Sequence, residues 1–285
     1  MAHHAPVIIV HGGAGHIREG ELPERLEGCK QGALAGWQIL KQGGSALDAA
    51  EAAVVALEDN PLFNAGTGST LNSLGRVEMD AAIMEGDTLR AGGVAAVEGI
   101  KNPIKLARRV MEDGRHVLLA GEGALRFARQ IGFPECPPEA LIAAAEKKRW
   151  HEKHGTVGAV AQDVSGTIAV ATSTGGIFDK FPGRVGDSPL LGSGTYADED
   201  GGVSCTGHGE AIIRIVMAKS TLEFLKAGAD PQAAAIQAVA LLREKTGSRG
   251  GLIVVDRNGN VGHARNTERM PVCFITAEGA VTVGS

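Results

Sequence analysis

The spacing of apolar residues changes repeatedly along the chain, and each change marks an expected element. Residues 7–10 form a short β-branched run that stops at His11-Gly12-Gly13-Ala14-Gly15, which predicts a strand and a tight loop. The period then lengthens. Leu22, Leu26, Cys29, Ala33, Trp37 and Leu40 recur every three or four residues, with Pro23 suited to a first helical turn and Gly43-Gly44 to a stop. Ser45-Ala46-Leu47-Asp48 reads as a capping box opening a second helix through Leu57. Strand-like runs at 77–84 and 93–97 precede helical patterns at 104–111 and 123–130.

Residues 134–155 interrupt this order. Pro134, Pro137 and Pro138 lead into the charged stretch from Glu146 to His154, which reads as a solvated linker that can hold one helical piece. An abrupt return to β character follows. Residues 156–161 and 167–172 flank Asp163-Val164-Ser165-Gly166, a turn sequence, and predict a hairpin. Residues 209–226 carry Ile212, Ile213, Val216 and Leu222 at helical spacing, and Asp230-Pro231 opens a second helix with an N-cap and a first-turn proline. Strands at 252–255, 261–264 and 272–276 close the chain, the first two joined through the turn Arg257-Asn258-Gly259. Hairpin-linked strands with helices in pairs point to an α+β protein with mainly antiparallel sheets; a four-layer αββα sandwich fits.

Composition narrows the function. Twenty-eight basic against 33 acidic residues, spread along the chain for a net charge of −5, argue against a nucleic-acid or membrane surface. No apolar run approaches the ~18–20 residues of a membrane span, and the N-terminus lacks the pattern of a signal peptide. Cys29, Cys136, Cys205 and Cys273 are isolated, so a reducing cytoplasm is the expected setting. The 41 glycines cluster in short phrases between apolar segments, as in sites built from main-chain groups.

Those phrases hold the candidate chemistry. The linker ends at Gly155-Thr156, where an exposed segment enters a strand. A threonine hydroxyl is a weak nucleophile, but a threonine freed as an N-terminus carries its own base, an α-amine of reference pKa ~7.7–8.0. Cleavage between Gly155 and Thr156 is therefore expected, giving subunits 1–155 and 156–285 of a single domain. Thr172-Ser173-Thr174-Gly175-Gly176 sets hydroxyls at the partner strand's end. Arg184 and Asp187 could grip a zwitterion by its carboxylate and ammonium. Thr206 and Gly207, before a helix N-terminus, could hold an oxyanion. Singly, each has a plainer reading as a strand start, strand-end hydroxyl, surface ion pair or helix cap.

Taken in order, HGTVGAV, TSTGG, GRVGDSP and TGHGE resemble the plant-type L-asparaginases, or isoaspartyl peptidases, of the N-terminal nucleophile hydrolase superfamily. VHGGAG at 10–15, NPLFNAGTGS at 60–69 and GGLIVVD at 250–256 extend the resemblance over nearly the whole chain. It implies the αββα fold and hydrolysis of the β-amide of asparagine or of β-aspartyl dipeptides through a β-aspartyl ester on Thr156. It further implies that Thr174 assists the nucleophile, that Arg184, Asp187 and Gly209 bind substrate, and that Asn64 lies beside Thr156 among the substrate-binding residues. Thr206 and Gly207 would form the oxyanion hole. No cofactor is implied for catalysis. A structural sodium ion is implied, held by the main-chain carbonyls of Leu57, Glu58, Asn60, Phe63, Ala65 and Thr67, as is a homodimer of cleaved units. The sequence departs from the family in a short charged linker, in an interval from Asp187 to Thr206 that is one residue short near 199–202, and in Arg269 where glycine is common.

Two other readings stand beside this one. A glycosylasparaginase would share the nucleophile, but its oxyanion phrase reads TGNGD where this chain has TGHGE. From another class, the glycine loop at 10–15 could bind a nucleotide or phosphate, although Arg18 occupies the last glycine position of G-x-G-x-x-G. A metallohydrolase is disfavoured, since His11, His16, His154, His208 and His263 show no H-x-x-x-H spacing.

Overall fold

In a computed structural model of the chain, which describes residues 4–142 and 155–285, strand β1 (Val7–His11) shows how the interior is built. Ile8 and Val10 join one apolar cluster while Val7 and Ile9 join another. Alternate side chains of a strand point to opposite faces, so a sheet buried on both faces reads as an unbroken apolar run.

The elements after β1 are helices α1 (Leu22–Leu40) and α2 (Ala46–Glu58), strands β2 (Met79–Glu85) and β3 (Ala91–Val97), helix α3 (Pro103–Asp113), strand β4 (Leu118–Ala120) and helix α4 (Gly121–Gln130). Beyond 155 come β5 (Val157–Gln162), β6 (Ile168–Thr174), β7 (Thr195–Asp198), β8 (Gly201–Gly207), α5 (Gly209–Ile215), α6 (Met217–Lys226), α7 (Pro231–Thr246), β9 (Gly250–Asp256), β10 (Val261–Arg265), β11 (Val272–Ile275) and β12 (Val281–Gly284). An eight-stranded sheet runs β12-β11-β1-β5-β6-β2-β3-β4, antiparallel except for the β3–β4 pair, and a four-stranded antiparallel sheet runs β10-β9-β8-β7. Helices α1 to α4 cover the outer face of the large sheet, and α5 to α7 that of the small one. The inner faces meet through β5, β6 and β1 against β8 and β9, giving the αββα sandwich.

Local signals act where the sequence places them. Ser45 Oγ accepts from Asp48 N at 3.1 Å and Asp230 Oδ1 from Ala233 N at 2.8 Å, so α2 and α7 start at their expected caps. The hairpins β5–β6 and β9–β10 form as anticipated. Helices α1 and α2 approach closely because a side chain at Gly36 would meet the Ala49 carbonyl at 2.6 Å.

The expected single helix over 209–226 is in fact two. Val216 takes a left-handed φ of 49°, unusual for a β-branched residue, and ends α5. The break lets the first amides of α6 reach another loop: Ala218 N donates to Ser193 O and Lys219 N to Gly192 O. The short interval near 199–202 becomes a tight β7–β8 turn at Glu199-Asp200. That turn lies at the opposite end of β8 from Thr206 and Gly207, ~20 Å away at 3.3 Å per residue, so this departure leaves the site untouched. The charged part of the expected linker, 143–154, lies outside the described residues. Among the described residues, no helix is long and apolar enough to cross a membrane.

Candidate active site

Strand alternation gathers the hydroxyls. In β5, Val157, Ala159 and Ala161 face the helices, so Thr156 and Gly158 face the other sheet. In β6, Ile168 and Val170 lie in the intersheet cluster, and Thr172 and Thr174 continue that face. In β8, Val203 and Cys205 face the helices, so Ser204 and Thr206 turn back toward the large sheet. Beneath them His11 is fully buried, and burial drives its pKa down to about 3, leaving a neutral ring. Its Nδ1 accepts from Gly13 N at 3.3 Å, so Nε2 carries the hydrogen and donates to Ser204 Oγ at 3.0 Å. Ser204 Oγ in turn lies 2.8 Å from Thr172 Oγ1. A Cβ at Gly158 would overlap Ser204, so glycine here makes room for the network.

At the head of β5, Thr156 is buried and its Oγ1 donates to Thr174 Oγ1 at 3.3 Å. Thr174 Oγ1 donates onward to the Gly155 carbonyl at 3.1 Å, and Asn64 Nδ2 reaches the same oxygen at 3.0 Å. The carbonyl before Thr156 therefore faces two donors. Gly155 has φ +152°, a backbone open to glycine. Asn64 is itself fixed: Nδ2 also donates to Gly176 O at 2.7 Å, and Oδ1 accepts from Thr70 N at 2.8 Å. It thus meets the carbonyl of the Gly155–Thr156 peptide, next to Thr156.

The loop at 12–15 is fully committed. Gly12 N donates to Pro271 O, Gly13 N to His11, Ala14 N to Thr206 Oγ1 at 3.0 Å, and Gly15 N to Arg269 O. No amide in it remains for a phosphate, which removes the basis for the nucleotide-binding reading. Its purpose is visible at Thr206. With one lone pair held by Ala14, the buried Thr206 hydroxyl keeps its hydrogen for another acceptor. The main chain of Arg269 pairs with Gly15 and so supports this loop.

Across the cleft, Arg184 grips Glu210 bidentately, Nε and Nη2 each 2.8 Å from a carboxylate oxygen, which holds the Glu210 carboxyl below its usual range. Asp187 is buried, and its Oδ2 has no hydrogen-bond partner. Burial raises its pKa to about 7, while the Arg184 guanidinium pulls the other way. A Cβ at Gly209 would lie 2.7 Å from Arg184 Nη2 and 2.8 Å from Asp187 Oδ1, so glycine keeps both heads free. Behind them, Asp80 Oδ2 accepts from Gly186 N at 2.9 Å, and buried Lys180 donates to Glu78 O at 2.6 Å and Gly175 O at 3.0 Å. Burial lowers the Lys180 pKa against the pull of Asp80 and Glu78. This cluster braces the turn after Thr174 and the loop before Asp187.

Gly155, Thr156, Thr174, Gly176, Ile177, Arg184, Asp187 and Gly207 line one small cavity of about 20 Å³. Residues expected from separate phrases thus converge. Asn64 and Thr206 stand just behind the cavity wall, each bonded into it or its support. Nothing in the sequence marked the side chains of Asp80, Lys180, Glu210 and Glu58, buried or paired charges with partners far along the chain.

Glu58 is the most unusual of these. Its Oε1 accepts from Ser173 Oγ at 2.7 Å and Ile104 N at 3.0 Å, and its Oε2 is buried without a partner. Burial raises its pKa from 4.5 to about 8. A raised carboxyl contributes stability that is complete below its unfolded pKa and is lost as pH rises through the folded value. Glu58→Gln is therefore expected to melt above the wild type at pH 8, by a margin that shrinks toward pH 5. Thermal melts across that range measure it.

A sandwich of this order, with a threonine at the head of a central strand facing the second sheet, is the architecture of the N-terminal nucleophile hydrolases. The chain matches the family described as asparaginase over residues 4–154 and 150–285, and it belongs to that family. It is 50% identical to a plant-type L-asparaginase of Thermococcus kodakarensis over 94% of this chain and 95% of that protein. It is 49% identical to the isoaspartyl peptidase/L-asparaginase of Danio rerio (89% and 87% covered) and 49% identical to that of Homo sapiens (90% and 88% covered).

Proposed function

We propose that this chain is a self-processing amidohydrolase acting on the β-amide of asparagine and on β-aspartyl dipeptides. The observation that carries the reading is the Gly155 carbonyl oxygen, set between Thr174 Oγ1 and Asn64 Nδ2 with the Thr156 hydroxyl beside it. In the first reaction Thr156 Oγ attacks the Gly155 carbonyl carbon, and charge develops on that oxygen against its two donors. The peptide becomes an ester. Water then splits the ester, leaving a Gly155 carboxylate and a Thr156 with free hydroxyl and α-amine.

That amine serves as base in the second reaction. Thr156 Oγ attacks the substrate's β-carbonyl while the α-amine takes the proton, and the Thr206 hydroxyl and Gly207 amide receive the oxyanion. Ammonia or an amino acid leaves with the returned proton, and water hydrolyses the β-aspartyl ester. The unpartnered Asp187 Oδ2 suits a substrate ammonium, and Arg184 suits the α-carboxylate, which would take or share the place of Glu210. A glycosylasparaginase rests on the same nucleophile but on neither set of relatives named above.

Intact-mass spectrometry during incubation, read beside aspartate release, tests the reading. Activity should rise in step with the fraction cut at 155/156. Full turnover by uncut chains would overturn it.

The pH profile carries a further expectation. Ammonium binding needs Asp187 ionised and attack needs the amine neutral, so protonation of either stops turnover. With Asp187 near 7, kcat/KM for asparagine should fall at least about tenfold per pH unit below pH ~6.5. A flat profile from pH 5 to 7 would contradict the assignment of Asp187.

The loop from Leu57 to Thr67 suits a structural sodium ion. Thr67 N closes it onto Glu58 O at 2.8 Å, and the Asn60 carbonyl likewise accepts one backbone N–H, from Phe63, which leaves a second lone pair on each. The carbonyls of Leu57, Glu58, Asn60, Phe63, Ala65 and Thr67 would hold the ion, and its charge would stiffen the loop that carries Asn64. We also propose assembly as a homodimer of cleaved units, checked by sedimentation, and a cytoplasmic setting suited to the four free cysteines.

A further inference from the structure

The cavity around Thr156 is bounded on one side by Ile177 and Gly207. A second cavity, of about 350 Å³, shares Ile177 and Gly207 with it. Since Gly207 belongs to the proposed oxyanion hole, this cavity opens on the side of the reacting carbonyl. Ammonia from asparagine needs no such space. The cavity is lined by Ala14, Ile177 and Phe178 on its apolar part and by His16, Arg249 and Glu268 at its polar edge. His16 Nδ1 and Glu268 Oε2 pair at 2.6 Å, whereas the Arg249 side chain has no hydrogen-bond or ion-pair partner among the described residues. Its main chain is fixed, the carbonyl accepting from His208 N at 3.2 Å. Apolar walls with one uncommitted cation at the edge match an amino acid bearing a large apolar side chain and a free carboxylate.

We propose that this cavity is the leaving-group subsite, selecting β-aspartyl dipeptides whose second residue is large and apolar, with Arg249 binding that residue's carboxylate. The proposal rests on the amidohydrolase reading above and adds its preferred substrate.

The test compares kcat/KM of the processed protein for β-aspartyl-leucine, β-aspartyl-glycine, β-aspartyl-leucinamide and a glycosyl-asparagine. The leucine dipeptide should exceed the glycine dipeptide by roughly tenfold, the lower end of what an apolar pocket discriminates. It should exceed its own amide by a similar factor. Arg249→Ala should bring the acid-to-amide ratio close to one, and Phe178→Ala should lower the leucine-to-glycine ratio. Ratios within one protein cancel any loss of folded enzyme. Equal rates on the leucine and glycine dipeptides, an acid-to-amide ratio untouched by Arg249→Ala, or a faster glycosyl-asparagine would overturn the proposal while leaving β-aspartyl hydrolysis standing. Processed protein that splits none of these substrates, nor asparagine, would overturn the underlying reading and this subsite with it.

Discussion

Thr156→Ala is expected to leave one uncut chain and to abolish hydrolysis, because in the proposed scheme a single hydroxyl serves both the cut and the turnover. Alanine removes the Oγ that donates to Thr174, but it leaves the Gly155 carbonyl with its two donors and strand β5 with its ladder. The fold should therefore survive, and circular dichroism should match the precursor. Thr156→Ser gives the sharper comparison. Serine keeps the hydroxyl but loses the methyl that restricts χ1, so it should still cut and turn over, more slowly in both. Intact mass and aspartate release read both variants. A Thr156→Ala protein found in two pieces would place the attacker elsewhere.

Thr206→Ala is expected to lower kcat on asparagine by ~10²–10³, the usual cost of losing one oxyanion donor. Two effects combine here. The proposed donor to the substrate's oxygen disappears, and the buried amide of Ala14 loses its acceptor. Thr206→Ser restores both and should recover most of the rate, whereas Thr206→Val fills the same space and restores neither. Processing at 155/156 should continue in all three, since the Gly155 oxygen depends on Asn64 and Thr174. A kcat for Thr206→Val within threefold of wild type would remove Thr206 from the oxyanion hole.

The sequence was most legible where a local rule decides the structure. Ser45 and Asp230 cap their helices, and the Asp163–Gly166 turn closes its hairpin, because each acts within three or four residues. The family phrases carried Thr156, Thr174, Arg184, Asp187 and Gly207 from separate stretches of the chain into one cavity. What stayed hidden depends on distant partners. Glu58 ends a helix beside Asp59-Asn60 and reads as a solvated charge, yet its partners are Ser173 and Ile104. Lys180 and Asp80 look like surface residues until the turn after Thr174 folds over them. Val216 continues the apolar period of its helix, so nothing in the spacing marks the left-handed break that frees α6 to hold the loop at 192–193. Strand β8 opens on two glycines, which argue for a loop until β9 pairs with it.

The strand order would give the proposed cut at 155/156 a lasting result. Strands β5 and β6 come from the later piece, yet they lie between β1 and β2 of the earlier one, while β11 flanks β1 from outside. The two pieces are thus interleaved like the fingers of clasped hands, and parting them means unzipping three ladders together. Processing at the proposed site would give up the one covalent tether that could guide them back. A mature enzyme, once fully unfolded, would have to find its other half in solution, so its working lifetime is set by how slowly it first comes apart.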